Sequence, residues 1–484
     1  MSEKIEELRE VRIEKLKKLK DQGIEPYPVD SSRTGTIGSC LESFDKLSKA
    51  KAKVILTGRI KSLRSHGKLC FGNLEDESAA IQFMLKQDEL KEDYKLVDLL
   101  DIGDFLQLTG ILIKSKTGES TLEAESLKVL AKSLRPIPAE FYGLKDLETK
   151  LRKRYLDLLA NKETRELFRK KSMFWKSIRE FLEEREFLEV DTPALERVPG
   201  GAEAEPFITH HNALNRDFYL RISLELPLKK LIVGGFEKVF EISKVFRNEG
   251  ISTEHLQDYI EMEFYWAYSE YDQLMDMVQE MYQTMIKKVT GGLKTTYEGK
   301  EIDWSGSWPK IRYFEIFKEK TGLDLNVCTD AELEKYARAE KIKVEKGSGR
   351  GRIIDLIYKK KVRPSLVQPC FLINPPIEIE PLAKKDPKNP KEVQRMQVLA
   401  GGTELGKGFS ELNDPIDQRQ RFEDQMKLRE AGDKEAQMID EDYIEAMEYG
   451  MPPLSGFGLS ERLFAVIMGK SVRETVVFPP MKEE

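Results

Sequence analysis

Hydrophobic periodicity changes abruptly along this chain, and that change limits its possible folds more than any other feature. From about residue 53 to 133, apolar residues alternate with polar ones in short runs: "KVILTGRIKSLRSHGKLCFGNLED", "AAIQFML", "GDFLQLTGILIKSKTG" and "STLEAESLKVLAKS". A period of two puts every second side chain on one face, the pattern of a half-buried strand. About five such strands, separated by glycine-rich turns, suit a small closed barrel of the OB-fold kind. Beyond residue 165 long helical patterns alternate with strands up to the C-terminus. That order predicts helices around a mainly antiparallel sheet, an α+β domain.

At 484 residues the chain is too long for one core. The expected layout is an N-terminal helix and arm over 1–50, the barrel over 51–135 and a linker over 136–160. The α+β domain then fills 161–484, with a helical insertion near 275–365 in which "EKGSGRGR" forms a turn. In the first helix, Ile5, Leu8, Val11, Leu16 and Leu19 recur among charges, and Lys15, Lys17, Lys18 and Lys20 cluster near its end. A solvated helix and an RNA-contacting arm both fit that pattern.

The charge is −6, which leaves local basic patches open. No apolar run reaches the roughly 20 residues that span a bilayer, and the charged N-terminus lacks the core of a signal peptide. A cytoplasmic protein with no membrane partner is expected. Four cysteines without a CxxC pair and four histidines argue against a zinc site. His210 and His211 are adjacent, so a strand would point them to opposite faces.

Chemistry concentrates in "KVFRNEGISTEHLQDYIEMEFYWAY", residues 244–268. In its second half Tyr259, Glu261, Glu263 and Tyr265 fall on one face, with Ile260, Met262, Phe264 and Trp266 on the other. The preceding "EKVFEISKVF" is also strand-like, so "RNEGISTEHLQ" becomes the loop of an antiparallel hairpin. Two tyrosines make a poor solvent face, and Arg247 at the loop entrance offers a fork for phosphate or carboxylate oxygens. In "GGTELGKGFSELNDP", strict alternation puts Glu404 on one face and Lys407, Phe409 and Glu411 on the other. Glu263 and Glu411 then supply two carboxylates to one pocket, a seat for an ammonium group. Near the C-terminus "PLSGFGLSERLFAVIMGK" joins a glycine-rich turn to an amphipathic helix bearing Arg462. In the barrel, Arg64, Phe71 and Gln82 are candidates for nucleic-acid contact. An exposed Phe71 would stack on a splayed base; a core role fits the sequence equally well.

Taken together, "FLEVDTPAL", "PGGAEAEPF", the 244–268 stretch and "SELNDPIDQ" resemble class II lysyl-tRNA synthetases, over nearly the whole chain. The resemblance implies a homodimer with Pro193 near its interface, and ATP and Mg²⁺ in a two-step reaction. L-lysine attacks the α-phosphate of ATP, and the lysyl group then passes to tRNA(Lys). By the same resemblance, Arg247 and Arg462 are the catalytic cations. Glu249, His255, Tyr259 and Glu404 complete the ATP site, with Tyr259 stacking on adenine. Gly201 and Glu225 meet the α-amino group; Glu263, Tyr265, Lys407, Phe409 and Glu411 line the lysine side-chain pocket. Glu404, with Gln397 more weakly, carries magnesium, and Arg64, Phe71 and Gln82 contact the anticodon.

Such chemistry needs in-line positioning and cations on a pentacoordinate phosphorus rather than a protein nucleophile. Three positions depart from the family pattern. Glu254 stands where most relatives carry a second basic residue beside His255, Gln397 where they often carry a metal-holding glutamate, and Lys407 where asparagine is usual. The alternatives are an enzyme with another acceptor and a tRNA-binding regulatory protein that has lost catalysis.

Overall fold

The computed structural model describes residues 2–137, 146–250, 256–344, 348–430 and 436–481, and the chain forms two compact units, Met1–Lys145 and Asp146–Glu484. In the first unit, β1 (Lys53–His66), β2 (Leu69–Glu75), β3 (Ala80–Lys86), β4 (Phe105–Lys114) and β5 (Ser120–Ala131) close in the order β1-β2-β3-β5-β4. All pairs are antiparallel except β3 with β5. The period of two is realised as strict alternation. Val54, Leu56, Leu74, Phe83, Leu108 and Leu122 fill the interior, each contributing roughly 1.5–3 kcal/mol by leaving water. The helix Ser2–Asp21 is fastened to this barrel, with Leu19 in its core and the Arg12 guanidinium donating to the carbonyls of Ile102, Ser133 and Arg135. Lys15 pairs with Asp101, while Lys17, Lys18 and Lys20 remain exposed.

The second unit is built on an eight-stranded sheet. In chain order its strands are β6 (Leu188–Glu189), β10 (Lys238–Phe246), β11 (Asp258–Ala267), β14 (Lys310–Arg312), β15 (Cys370–Ile373), β16 (Arg395–Ala400), β17 (Thr403–Ser410) and β18 (Leu454–Ser460). Three short strands, β7 (Leu195–Glu196), β8 (Ile208–His211) and β9 (Arg216–Leu220), pair separately, as do β12 (Lys294–Tyr297) and β13 (Lys300–Asp303). The sheet runs β14-β15-β16-β17-β18-β11-β10-β6, antiparallel inside with a parallel pair at each end. Its centre is therefore a set of antiparallel strands whose two faces differ completely.

One face is covered by the helices Lys162–Glu183 and Tyr271–Thr290. Phe174, Ile178, Val278, Met281 and Tyr282 meet Met262, Phe264 and Phe457 in a dry core. The insertion therefore begins later than expected. Leu274, Val278, Met281 and Met285 form a stripe at helical spacing that has to be buried, and the sheet is where it goes. The separately packed helical cluster consists of Tyr313–Thr321, Asp330–Ala339 and Arg350–Ile357, seated on Cys370 and Leu372 of β15. His210 and His211 take opposite roles on β8: His210 bonds Asp217 at 2.9 Å, and the His211 ring lies 5.2 Å from that of Phe218. No helix of the described residues is long and apolar enough to cross a membrane.

Candidate active site

The uncovered face of the sheet opens onto a cavity of about 880 Å³, within the usual range for small-molecule sites. β11 lines it as its alternation requires: Tyr259, Glu261, Glu263 and Tyr265 face the cavity, while Met262 and Phe264 enter the dry core. β10 and β11 form the antiparallel hairpin, with Glu241 opposite Glu263 and Val245 opposite Tyr259.

β17 breaks the alternation. Leu399 pairs with Glu404 but Val398 pairs with Gly406, so Leu405 is an extra residue, a bulge. Leu405 is buried in the dry core, and a Cβ on Gly406 would meet Phe457 and Tyr282 there. Two consecutive residues thus turn away, and Glu404 joins Lys407, Phe409 and Glu411 on the cavity side. This corrects the opposite-face expectation for Glu404. A second correction concerns "SGFGLS", which is strand β18 rather than a turn. Gly456 lies opposite Tyr265 and Phe409, and a Cβ there would collide with the Tyr265 ring and Glu411 Oε1. Glycine here removes a side chain from the cavity floor.

The carboxylates collect at one end. Glu263 is fully engaged: Oε1 accepts from Ser223 Oγ at 2.7 Å and the Leu224 amide at 2.9 Å, and Oε2 from the Tyr265 hydroxyl at 2.8 Å. The helix Glu225–Val233 brings Glu225 and Lys229 together one turn apart, with Lys229 Nζ 2.5 Å from Glu225 Oε1. Lys229 also ion-pairs with Glu411, and its ammonium lies 5.7 Å from the Tyr265 ring and 5.3 Å from the Phe409 ring. Glu411 Oε1 is buried without a hydrogen-bond donor among the described residues. Two carboxylates share one ammonium. Burial pushes Glu225 up to about 7 and Glu411 well above its usual range; burial alone would depress Lys229, but the two carboxylates hold it well above normal. Burial likewise raises Glu261 to about 7, against the pull of Arg247. Gly201 closes this end with φ at +84°, where a Cβ would come within 2.9 Å of Glu225 Cβ and Ser223 Oγ.

Cations collect at the other end. Arg247 is anchored by its Nε to the Ile222 carbonyl at 3.1 Å, lies 3.6 Å from Glu261 Oε2 and sits 5.4 Å from the centroid of the Tyr259 ring. Arg462 begins the helix after β18, and its Nη1 donates to the Glu404 carbonyl at 3.4 Å. Glu249 lines the same cavity. His255 and Glu254 lie outside the described residues. Within the expected insertion, Gly349, Arg350, Gly351 and Arg352 of the EKGSGRGR segment border the cavity from the start of their helix.

Lys407 pairs with Glu380 at 3.4 Å, and Arg395 Nε approaches the same carboxylate at 3.3 Å. The Gln397 amide donates to Glu404 Oε2 at 2.5 Å, while its oxygen accepts from the Tyr358 hydroxyl at 3.3 Å. Burial would raise Glu404, but Arg395, Lys407 and Arg462 hold it below its usual value. This donor set does not fit a caged dication. Hard dications take six or more oxygens, and Mg²⁺ beside a nucleotide usually takes one or two protein carboxylates together with phosphates and waters. Here one carboxylate already accepts from an amide N–H, within the field of three cations. Among the described residues, no group of three or more His, Cys, Asp or Glu could hold a metal ion.

In the barrel, Cys70, Gly72 and Leu74 point inward, which turns Phe71 outward, and Phe71 pairs across strands with the exposed Arg64. The core alternative for Phe71 is thereby excluded. Gln82 shares the outer face, donating to Glu119 at 2.7 Å and accepting from Thr121 at 2.8 Å.

Lys229, Glu380, Arg395, Ser223 and the 349–352 segment were missed by sequence reasoning. The Glu225–Lys229 spacing was a usable signal; the others belong to elements with no local motif.

A sheet with one dry and one wet face, joined in sequence to a small barrel, defines a class. The family described as tRNA synthetases class II (D, K and N) matches residues 146–482, and the OB-fold nucleic acid binding domain matches residues 54–130. Among individual relatives, lysine–tRNA ligase of Carboxydothermus hydrogenoformans is 44% identical over 485 residues, covering 99% of each chain. The lysine–tRNA ligase of Thermoanaerobacter sp. is 43% identical, over 99% of this chain and 97% of the relative. That of Moorella thermoacetica is 42% identical, over 98% of each. The chain belongs to the class II tRNA synthetases, in their lysine–tRNA ligase branch.

Proposed function

We propose that the chain activates L-lysine with ATP and transfers the lysyl group to tRNA(Lys). The observation that carries this reading is the buried Glu411 Oε1, which lacks a donor at the carboxylate end of a cavity whose opposite end is cationic. Two buried carboxylates that share the single ammonium of Lys229 leave this oxygen desolvated and unsatisfied, which is costly, so the cavity selects a ligand that delivers an ammonium there. Lysine does so while its carboxylate points toward Arg247. One carboxylate oxygen of lysine attacks the α-phosphorus, the bond to the β-phosphate oxygen breaks, and pyrophosphate leaves. Arg247 neutralises charge on the α-phosphate and Arg462 on the leaving pyrophosphate, each held in place before reaction. A terminal ribose hydroxyl of tRNA then attacks the mixed anhydride and releases AMP.

In this reading Tyr259 stacks on adenine, Glu249 completes the ATP site, and Gly201 and Glu225 meet the α-amino group. Glu263 and Glu411 with Tyr265 and Phe409 surround the side chain. Mg²⁺ enters with ATP as the companion of its phosphates. On the barrel, Arg64, Phe71 and Gln82 form the anticodon platform. A second copy of the chain covers the apolar surface around Pro193, where Leu188, Leu195, Ile208 and Leu214 are exposed. The cytoplasm is the proposed compartment, where tRNA and ATP are supplied.

The test is exchange of labelled pyrophosphate into ATP, followed by tRNA charging. Exchange that requires lysine, with charging of tRNA(Lys), is the expected result. A folded chain with no exchange for any amino acid would favour the regulatory alternative.

A further inference from the structure

The mismatch between the Glu404–Gln397 pair and a caged dication has a counterpart one strand position away. Lys407 lies directly opposite Gln397 in the β16–β17 register, and opposite Gly458 on β18, which has no side chain to obstruct it. Its ammonium is tethered at 3.4 Å to Glu380, a carboxylate only 5% exposed, while the Lys407 side chain itself remains 38% exposed to the cavity. Along the chain it lies between Glu404, whose carbonyl accepts from Arg462, and Glu411, which pairs with Lys229. Lys407 therefore stands at the junction between the two ends. Arg395 shares Glu380 and so keeps that carboxylate from fully neutralising Lys407. Gln397 cannot compensate: its amide is fixed by Tyr358 with the N–H toward Glu404, presenting a donor where a cation would need an acceptor.

We propose that Lys407 is a fixed cation for the phosphate chain of ATP, seated where lysine's carboxylate meets the α-phosphate and taking the place of one divalent ion. This rests on the reading of the cavity as an ATP site. A tethered ammonium neutralises phosphate charge without a coordination shell, so ATP affinity in this chain depends less on Mg²⁺ than it would with glutamate at 397 and a neutral residue at 407. The two positions are complementary as they stand: a neutral amide at 397 and a cation at 407.

The experiment measures the dissociation constant of ATP for the full chain by calorimetry, in EDTA and at saturating Mg²⁺, in wild type, Lys407→Asn, Lys407→Arg and the double variant Gln397→Glu/Lys407→Asn. The readout is the ratio of the two constants, and thermal melts check that each variant folds. Loss of one charge-assisted contact is expected to raise that ratio about tenfold in Lys407→Asn, with Lys407→Arg restoring it. Spin-resonance titration with Mn²⁺ is expected to count one more bound ion per ATP complex in the double variant than in wild type. A ratio in Lys407→Asn that moves by less than about threefold, under 0.7 kcal/mol at roughly 1.4 kcal/mol per decade, overturns the proposal. An unchanged Mn²⁺ count in a folded double variant also overturns it. Absence of ATP binding to wild type under both conditions would instead overturn the nucleotide reading of the cavity.

Discussion

Glu411 and Lys229 carry the specificity argument at the scale of single residues. Their ion pair is surrounded by Tyr265 and Phe409, and one oxygen of Glu411 is left without a donor. Glu411→Gln removes the charge that an incoming ammonium meets. We expect kcat/KM for lysine in pyrophosphate exchange to fall about ten- to hundredfold, mostly through KM, from the loss of one hydrogen bond to a charged group. An unchanged KM would show that the ammonium binds elsewhere. The pH dependence follows from Glu225, raised to about 7, and Glu411, raised well above its usual range, both mainly by burial. A carboxylate with a raised pKa is protonated below that value and cannot pair with an ammonium. Lysine kcat/KM is therefore expected to decline as pH falls through about 7, and an acid limb near the ordinary glutamate range would contradict this. The i,i+4 spacing of Glu225 and Lys229 was legible, but the place of Lys229 between two carboxylates was not, because a fully buried lysine is rare and Glu411 lies far from it along the chain. Only the fold brings Glu411 to the Glu225–Lys229 pair.

At the scale of elements, β11 and β17 show where periodicity suffices and where it does not. On β11 the alternation of Tyr259, Glu261, Glu263 and Tyr265 with apolar residues correctly assigned each side chain to a face, because the ladder there is regular. On β17 the same rule put Glu404 on the wrong side. A bulge adds one residue and reverses the phase, and no local pattern in "TELGKGFS" records it. The glycines of "SGFGLS" were misleading for a related reason. Glycine usually marks a turn, but here Gly456 spares room for Tyr265 and Glu411 within a strand. Gly456→Ala tests that role. The added methyl should displace Glu411 and Tyr265, raising KM for lysine about tenfold or more while the protein still melts cooperatively, since overpacking of this kind costs roughly 1–3 kcal/mol. Wild-type lysine binding in this variant would mean that the floor of the cavity is not where lysine lies.

At the scale of the whole molecule, two units divide the labour. The α+β unit supplies the cavity, and the barrel presents Phe71 and Arg64 on its outer face. Both units were legible, because a switch from period two to helical spacing survives any error at element boundaries. The beginning of the helical insertion was not, since the stripe of helix Tyr271–Thr290 looks the same whether it covers a sheet or a neighbouring helix. If Phe71 stacks on a base, Phe71→Ala costs about 1–3 kcal/mol in tRNA recognition. The KM for tRNA in charging should then rise about ten- to hundredfold, with a far smaller effect on pyrophosphate exchange, which needs no tRNA.

In the proposed function, the carboxylate end of the cavity measures the length of an amine. Pyrophosphate exchange compared across the twenty amino acids and ornithine tests it most directly. Ornithine, one methylene shorter, brings its ammonium short of Glu411. kcat/KM is expected to be highest for lysine and lower for ornithine by about ten- to two-hundredfold, the usual worth of one methylene. Equal use of ornithine, or a preference for any other amino acid, would contradict it.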